Sequence, residues 1–152
     1  KVIKSILDLR YTEKIREEEG GTYGVAVRVS IEQFPKSDAT LSMFFNCDPV
    51  KADVLKSLIY KEIEKIRENG PSALDLDKSV KNMLKTREQS KLHNDYWMSS
   101  LYDFYYDGID TNSPENYEAI LNSFTISDIQ DLANQFFANA DEVDVVFKPK
   151  SE

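Results

Sequence analysis

Cysteine and histidine are almost missing from this sequence, and each absence closes off a class of chemistry. The single Cys47 excludes an internal disulfide, and inside an apolar alternating stretch it reads as a small buried hydrophobe rather than a nucleophile. The single His93 means that the two-histidine motifs of zinc hydrolases cannot be assembled from this chain. His93 falls in a polar helical stretch, Lys91 to Asp95, away from any nucleophile signature such as G-x-S-x-G. No apolar run approaches the ~20 residues that span a bilayer, and the opening residues read as an amphipathic helix rather than a signal peptide. Positive charge is also short. The 19 Lys and Arg stand against 27 Asp and Glu, a formal charge of −8, which repels nucleic-acid phosphates and excludes DNA and RNA as partners.

What remains is the composition of a folding chain. At 152 residues, with 41% hydrophobic and 30% charged residues, eight Tyr and eight Phe, it suits one domain over 1–152 with a core that needs no staples. The sequence opens inside a helical pattern without an initiator methionine, so we expect it to be a fragment of a longer polypeptide. Val2, Ile3, Ile6, Leu7, Leu9 and Ile15 recur among charges and predict a helix over residues 2–18, closed by Gly20 and Gly21. From Thr22 the period becomes two: Tyr23, Val25, Val27, Val29 and Ile31 alternate with smaller or polar residues. After a turn at 33–38 that holds Phe34 and Pro35, Ala39, Leu41, Met43, Phe45 and Cys47 repeat the pattern, which predicts a long antiparallel hairpin.

Asp48 before Pro49 marks a helix start, because the carboxylate accepts from free N–H groups and proline sacrifices no bond there. That helix should run to Asn69, burying Leu55, Ile59, Ile63 and Ile66, exposing Lys56, Lys61, Glu62, Glu64, Lys65 and Glu68, and closing at Gly70 and Pro71. Ser72 and Asp75 form a capping box for a helical stretch to Tyr106 with a bend near Asn94. Ser113 and Pro114 open a short helix to Phe124, and Ser127 with Gln130 caps another carrying Ile129, Leu132, Ala133, Phe136 and Phe137. Val143, Val145 and Phe147 predict a closing strand. The order gives an α+β fold: a mostly antiparallel sheet with helices packed on one face.

One local constellation stands out, Arg16 to Tyr23, R-E-E-E-G-G-T-Y. Arg16 lies in the last turn of a helix, two glycines let the chain reverse, and Tyr23 leads a strand, so both polar heads can converge at one end of the sheet. A structural reading competes with this. The helix dipole favours an arginine there in any case, and Tyr23 shares parity with the apolar strand face. Residue chemistry leaves the two readings open.

The stretch Ile15-Arg16-Glu17-Glu18-Glu19-Gly20-Gly21-Thr22-Tyr23-Gly24-Val25 resembles the arginine/tyrosine segment in the C-terminal half of pitrilysin/insulinase-type zinc peptidases, particularly bacterial ones. Phe44-Phe45-Asn46-Cys47-Asp48-Pro49 is similar to the second hairpin strand entering its helix, and residues 62–71 to that helix's exit. Arg87-Glu88 with Asn94-Asp95-Tyr96-Trp97 resembles the long helix, and residues 126–137 the last one. The resemblance implies a metallohydrolase-like domain, like those of mitochondrial processing peptidases, that lacks the family's first strand. It implies a clamshell enzyme whose zinc and H-x-x-E-H motif sit in an N-terminal half, in the same chain or a separate subunit, with no metal or cofactor in this one. By motif it maps the two groups that reach peptide substrate onto Arg16 and Tyr23. Arg16 would hold substrate carbonyls, and Tyr23 would donate to the oxygen that becomes negative. Trp97, Tyr102, Phe104, Tyr105 and Tyr106 are assigned to core packing or to the interface with the zinc half. A catalytically inactive scaffold, or a peptide-binding subunit partnering a separate zinc subunit, is the alternative. The compartment is left open, a bacterial periplasm or envelope being the place the resemblance suggests.

Overall fold

Period-two alternation puts apolar side chains on one side of a ribbon, and the chain folds its two alternating stretches against each other. The computed structural model describes residues 1–14, 22–32, 34–108, 114–138 and 140–147. In it, β1 (Thr22–Glu32) pairs antiparallel with β2 (Asp38–Cys47). Val25, Val27 and Val29 stand opposite Phe45, Met43 and Leu41, and such cross-strand partners pack as units on one face. That face turns inward, while Ala26, Arg28 and Ser30 are exposed on the other.

The helices cover the inward face. Helix α1 (Val2–Tyr11) touches β1, α2 (Ala52–Asn69), α3 (Ala73–Ser90) and α6 (Ile126–Ala138), and it buries Ile6, Leu7 and Tyr11 completely. The Asp8 carboxylate accepts from the Val27 N–H at 3.3 Å, which pins helix to strand. Tyr11 donates to the Ile59 carbonyl at 3.2 Å, and its burial, reinforced by the Glu62 charge, raises the phenol well above its usual range. Past Tyr11 the helix continues as one wider turn through Lys14; the rest of the predicted span, residues 15–18, and the closing Gly20 and Gly21 lie outside the described residues.

Asp48 accepts from the Val50 N–H at 3.0 Å and starts a 3-10 turn, Pro49–Lys51, that leads into α2. The predicted stripe of Leu55, Ile59, Ile63 and Ile66 is buried. Glu62 departs from expectation: it does not face water and is 2% exposed. Both α1 and α3 bring charge to this flank of α2. Arg10 Nε lies 3.6 Å from Glu62 and 3.5 Å from Asp75, and the Lys65 amine also reaches Glu62. A carboxylate tolerates burial only when it is paired in this way.

Gly70 ends α2 at φ +70°, the left-handed region where a side chain is strained. A Cβ there would also meet Ile126 Cγ2 at 2.6 Å. Ser72 accepts from the Asp75 N–H at 3.0 Å and caps α3 as expected. The predicted bend is a break at residues 91–93, after which come α4 (Asn94–Tyr102) and a wide π-type turn, Asp103–Asp107. His93 is therefore not helical; it is the exposed residue before α4.

Helix α5 (Pro114–Ser123) packs on α3, and α6 packs on α2. The cap of α6 is Thr125 with Asp128, not Ser127 with Gln130: Thr125 Oγ1 accepts from the Asp128 N–H at 3.2 Å, and Asp128 accepts from the Thr125 N–H at 2.8 Å. These bonds to Thr125 hold the Asp128 carboxyl below its usual value. Gln130 instead donates to the carbonyls of Arg67 at 3.0 Å and Glu68 at 2.6 Å, and Asn134 donates to Arg67 at 3.0 Å, so α6 satisfies the end of α2.

The predicted closing strand is also corrected. Residues 141–147 lie outside the sheet, with Val143, Val145 and Phe147 exposed. Alternation supplies a pattern of side chains, but a strand needs a neighbouring edge, and among the described residues the sheet is β1 and β2 alone. The segment is tied instead to α2, where Tyr60 donates to Asp144 at 2.9 Å and Lys56 stands 3.3 Å from it. The architecture is α+β, mostly helical, with helices on one face of a small antiparallel sheet. No helix among the described residues is long and apolar enough to cross a membrane.

Candidate functional site

Two described ends frame the Arg16 to Tyr23 segment. On one side α1 runs into its wide turn, where the Thr12 hydroxyl donates to the Asp8 carbonyl at 2.7 Å and Glu13 stands 3.5 Å from the Lys78 amine of α3. On the other side β1 begins at Thr22, opposite Cys47. Arg16 lies outside the described residues, and of Tyr23 the strand backbone is described. The register does show one thing about this strand end. Thr22 pairs with Cys47 and Val25 with Phe45, three steps on β1 against two on β2, which places an extra residue at Tyr23–Gly24. A bulge bends its strand and re-aims side chains.

A cleft of ≈ 1000 Å³ is bounded by α1, α3, α4 and α5, with Val29 of β1 on its wall. Arg87, which the sequence analysis used only for the resemblance of the long helix, lines this cleft and is 8% exposed. Arg87 Nε donates to the Tyr96 hydroxyl at 3.3 Å, and the guanidinium lies over the Tyr117 ring, 4.3 Å from its centroid. Burial raises the Tyr117 phenol above its usual value, and the Arg87 charge partly offsets this. A signal was available: Leu76, Val80 and Met83 mark an apolar stripe along α3, and Arg87 sits at the next position of that stripe. A cation on an apolar stripe asks for a buried partner.

Carboxylates of Asp8, Glu13 and Asp95 share the cleft wall with Lys4, Arg87 and His93. Such a wall can hold a polar ligand. Among the described residues no three His, Cys, Asp or Glu converge on a metal-holding group.

The aromatics assigned to the core or an interface are not in the core. Trp97, Tyr102, Phe104, Tyr105 and Tyr106 are all about half exposed or more. Tyr96 and Ser100 turn α4 toward the cleft, which leaves the other side of the element uncovered. Trp97 is no packing anchor; its indole N–H donates to the Lys91 carbonyl at 2.9 Å, near the end of α3. Cys47 is a half-buried free thiol at the end of β2.

Residues 3–83 match the sequence profile of the family described as peptidase M16 inactive domain. No curated protein matches the sequence. Among solved structures, the fold is similar to that of a conserved protein from Enterococcus faecalis V583, at 20% identity and TM-score 0.71 over 88% of this chain and 31% of that one. It is similar to the periplasmic protease PqqL from Escherichia coli, at 19% identity and TM-score 0.65 over 90% of this chain and 16% of that one. It is also similar to a peptidase M16 inactive domain from Pseudomonas fluorescens, at 15% identity and TM-score 0.68 over 88% of this chain and 33% of that one. At such identities the likeness is one of fold, and the chain spans a third or less of each of these proteins.

Proposed function

The chain belongs to the peptidase M16 inactive-domain family, and from that premise we propose that it is the substrate-gripping, non-zinc half of a metalloendopeptidase that hydrolyses peptides in a clamshell chamber. The zinc belongs to the N-terminal half, in the same polypeptide or a separate subunit, since the single His93 of this chain cannot supply a two-histidine zinc motif. Arg16, a planar fork of N–H donors, holds carbonyl groups of the bound peptide. Tyr23 offers a hydroxyl to the carbonyl oxygen on which negative charge develops. The observation that carries this reading is that the family match over residues 3–83 runs through the whole Arg16 to Tyr23 segment.

The test uses the protein combined with its zinc-binding half and follows peptide turnover. Tyr23→Phe should lower kcat by about 100- to 1000-fold with KM little changed, the usual loss for one oxyanion donor. Arg16→Ala should act mainly by raising KM. Unchanged turnover in Tyr23→Phe would remove the catalytic role and leave the second reading, a scaffold homologue or peptide-binding subunit. The family's description as an inactive domain suits that reading.

A further inference from the structure

Pairing in an antiparallel ribbon uses alternate N–H groups of a strand and turns the others away from the neighbouring strand. In β1 one outward group is taken up by another element. Val27 stands opposite Met43, and its N–H is donated to the Asp8 carboxylate of α1 at 3.3 Å. Asp8 therefore lies along the flank of β1 that faces away from β2, where it lines the same cleft as Val29. It is the only acidic residue of α1. One of its carboxylate oxygens takes Val27, the other takes the Lys4 amine one turn back, and its carbonyl accepts from the Thr12 hydroxyl one turn on, at 2.7 Å.

Thr12 stands four residues before Arg16, and Val27 four residues after Tyr23. One residue thus ties together the two arms from which those groups extend. Apolar packing of a helix on a strand fixes their depth but resists sliding only weakly, whereas a bond to one backbone N–H fixes the register between them. We propose that Asp8 is a positioning residue, a clamp that sets the Tyr23 arm against the Arg16 arm so that both heads meet the same peptide. The inference rests on the peptide-gripping role given to Arg16 and Tyr23. What the clamp needs is an acceptor oxygen at this place rather than a charge, since the donor is a neutral N–H, and a carboxamide supplies that oxygen as well as a carboxylate does. The pair with Lys4 is partly exposed on both sides and adds little.

The test follows peptide turnover per folded molecule in the protein combined with its zinc-binding half. A misplacement of about 1 Å at a reacting centre costs up to about 100-fold in rate, and Asp8 acts on Tyr23 through four residues of strand, so Asp8→Ala should lower kcat about tenfold with KM little changed. Asp8→Asn keeps the acceptor and should stay within about twofold of the parent. Hydrogen exchange at the Val27 amide should speed up in Asp8→Ala and not in Asp8→Asn. In a Tyr23→Phe background Asp8→Ala should cost less than about twofold more, because the group it positions is gone. Gly70→Ala destabilises the fold at the joint of α2 and α6 and should leave kcat within about twofold, which separates positioning from general loss of stability. If Asp8→Ala does not fold, Asp8→Ser, with an oxygen too short to reach Val27, carries the same test. Undiminished kcat in Asp8→Ala, an equal loss in Asp8→Asn, or a second full tenfold loss on top of Tyr23→Phe would each overturn the clamp while the peptidase reading stands. Normal turnover in Tyr23→Phe would bring down that reading and the clamp with it.

Discussion

Glu62 and Glu64 lie two residues apart on α2 and occupy different environments. Glu62 is held between Arg10 and Lys65, whereas the Glu64 side chain, paired with Arg67 at 2.5 Å, is 52% exposed. Removing one partner of a buried ion pair leaves the other uncompensated, so Glu62→Ala should cost about 3 kcal/mol in urea denaturation, and Glu64→Ala no more than about 0.5 kcal/mol. Arg10 sharpens the contrast, because its buried Nη1 has no hydrogen-bond partner among the described residues. Tyr11 shows the same logic with a neutral group. Tyr11→Phe keeps the packing and loses the bond to the Ile59 carbonyl, for about 1 kcal/mol. Since the folded phenol titrates above its unfolded value of about 10, the stability it contributes is complete below that pH. It is lost as pH rises through the folded value. In an ultraviolet titration Tyr11 should ionise only as the chain unfolds, and free ionisation in the folded chain near pH 10 would refute the buried assignment.

At the scale of elements, the joint between α2 and α6 is the most constrained place described. Gly70 combines a left-handed backbone with a side-chain-free approach to Ile126, and Gln130 and Asn134 close the carbonyl end of α2. Gly70→Ala adds backbone strain of about 1 kcal/mol and a collision on top of it, for an expected loss of about 2–3 kcal/mol in thermal or urea unfolding. Adding Ile126→Ala should relieve the collision, so the double variant should lose less than the two single losses combined. Strict additivity would mean that the contact is not there. The α6 cap teaches a related lesson. Thr125 and Ser127 both offer a hydroxyl; with the cap at Thr125, Ser127 falls inside the first turn and Gln130 reaches the end of α2.

For the whole molecule, protection should follow depth. The hairpin tip and residues 140–147 are exposed, whereas α1 and the stripe of α2 are the most buried parts. Hydrogen exchange should open the tip and the tail first and the amides around Leu55, Ile59 and Ile66 last. Exchange of β1 and α2 at one common rate would show a single cooperative unit. By itself the sequence determined the hairpin, the Asp48–Pro49 and Ser72 helix starts, the Gly70 stop and the break near Asn94, because periodicity, capping and φ restrictions act over a few neighbouring residues. It also determined the family, through motifs written in linear order. Only the tertiary structure decided that Glu62 is buried, that Arg87 stacks on Tyr117, that Trp97 and Tyr102 of α4 face outward and that Val143 to Phe147 form no strand. Each of these depends on what a distant segment places alongside, and solvent access, ion pairing and strand edges are relations between segments that no local pattern contains.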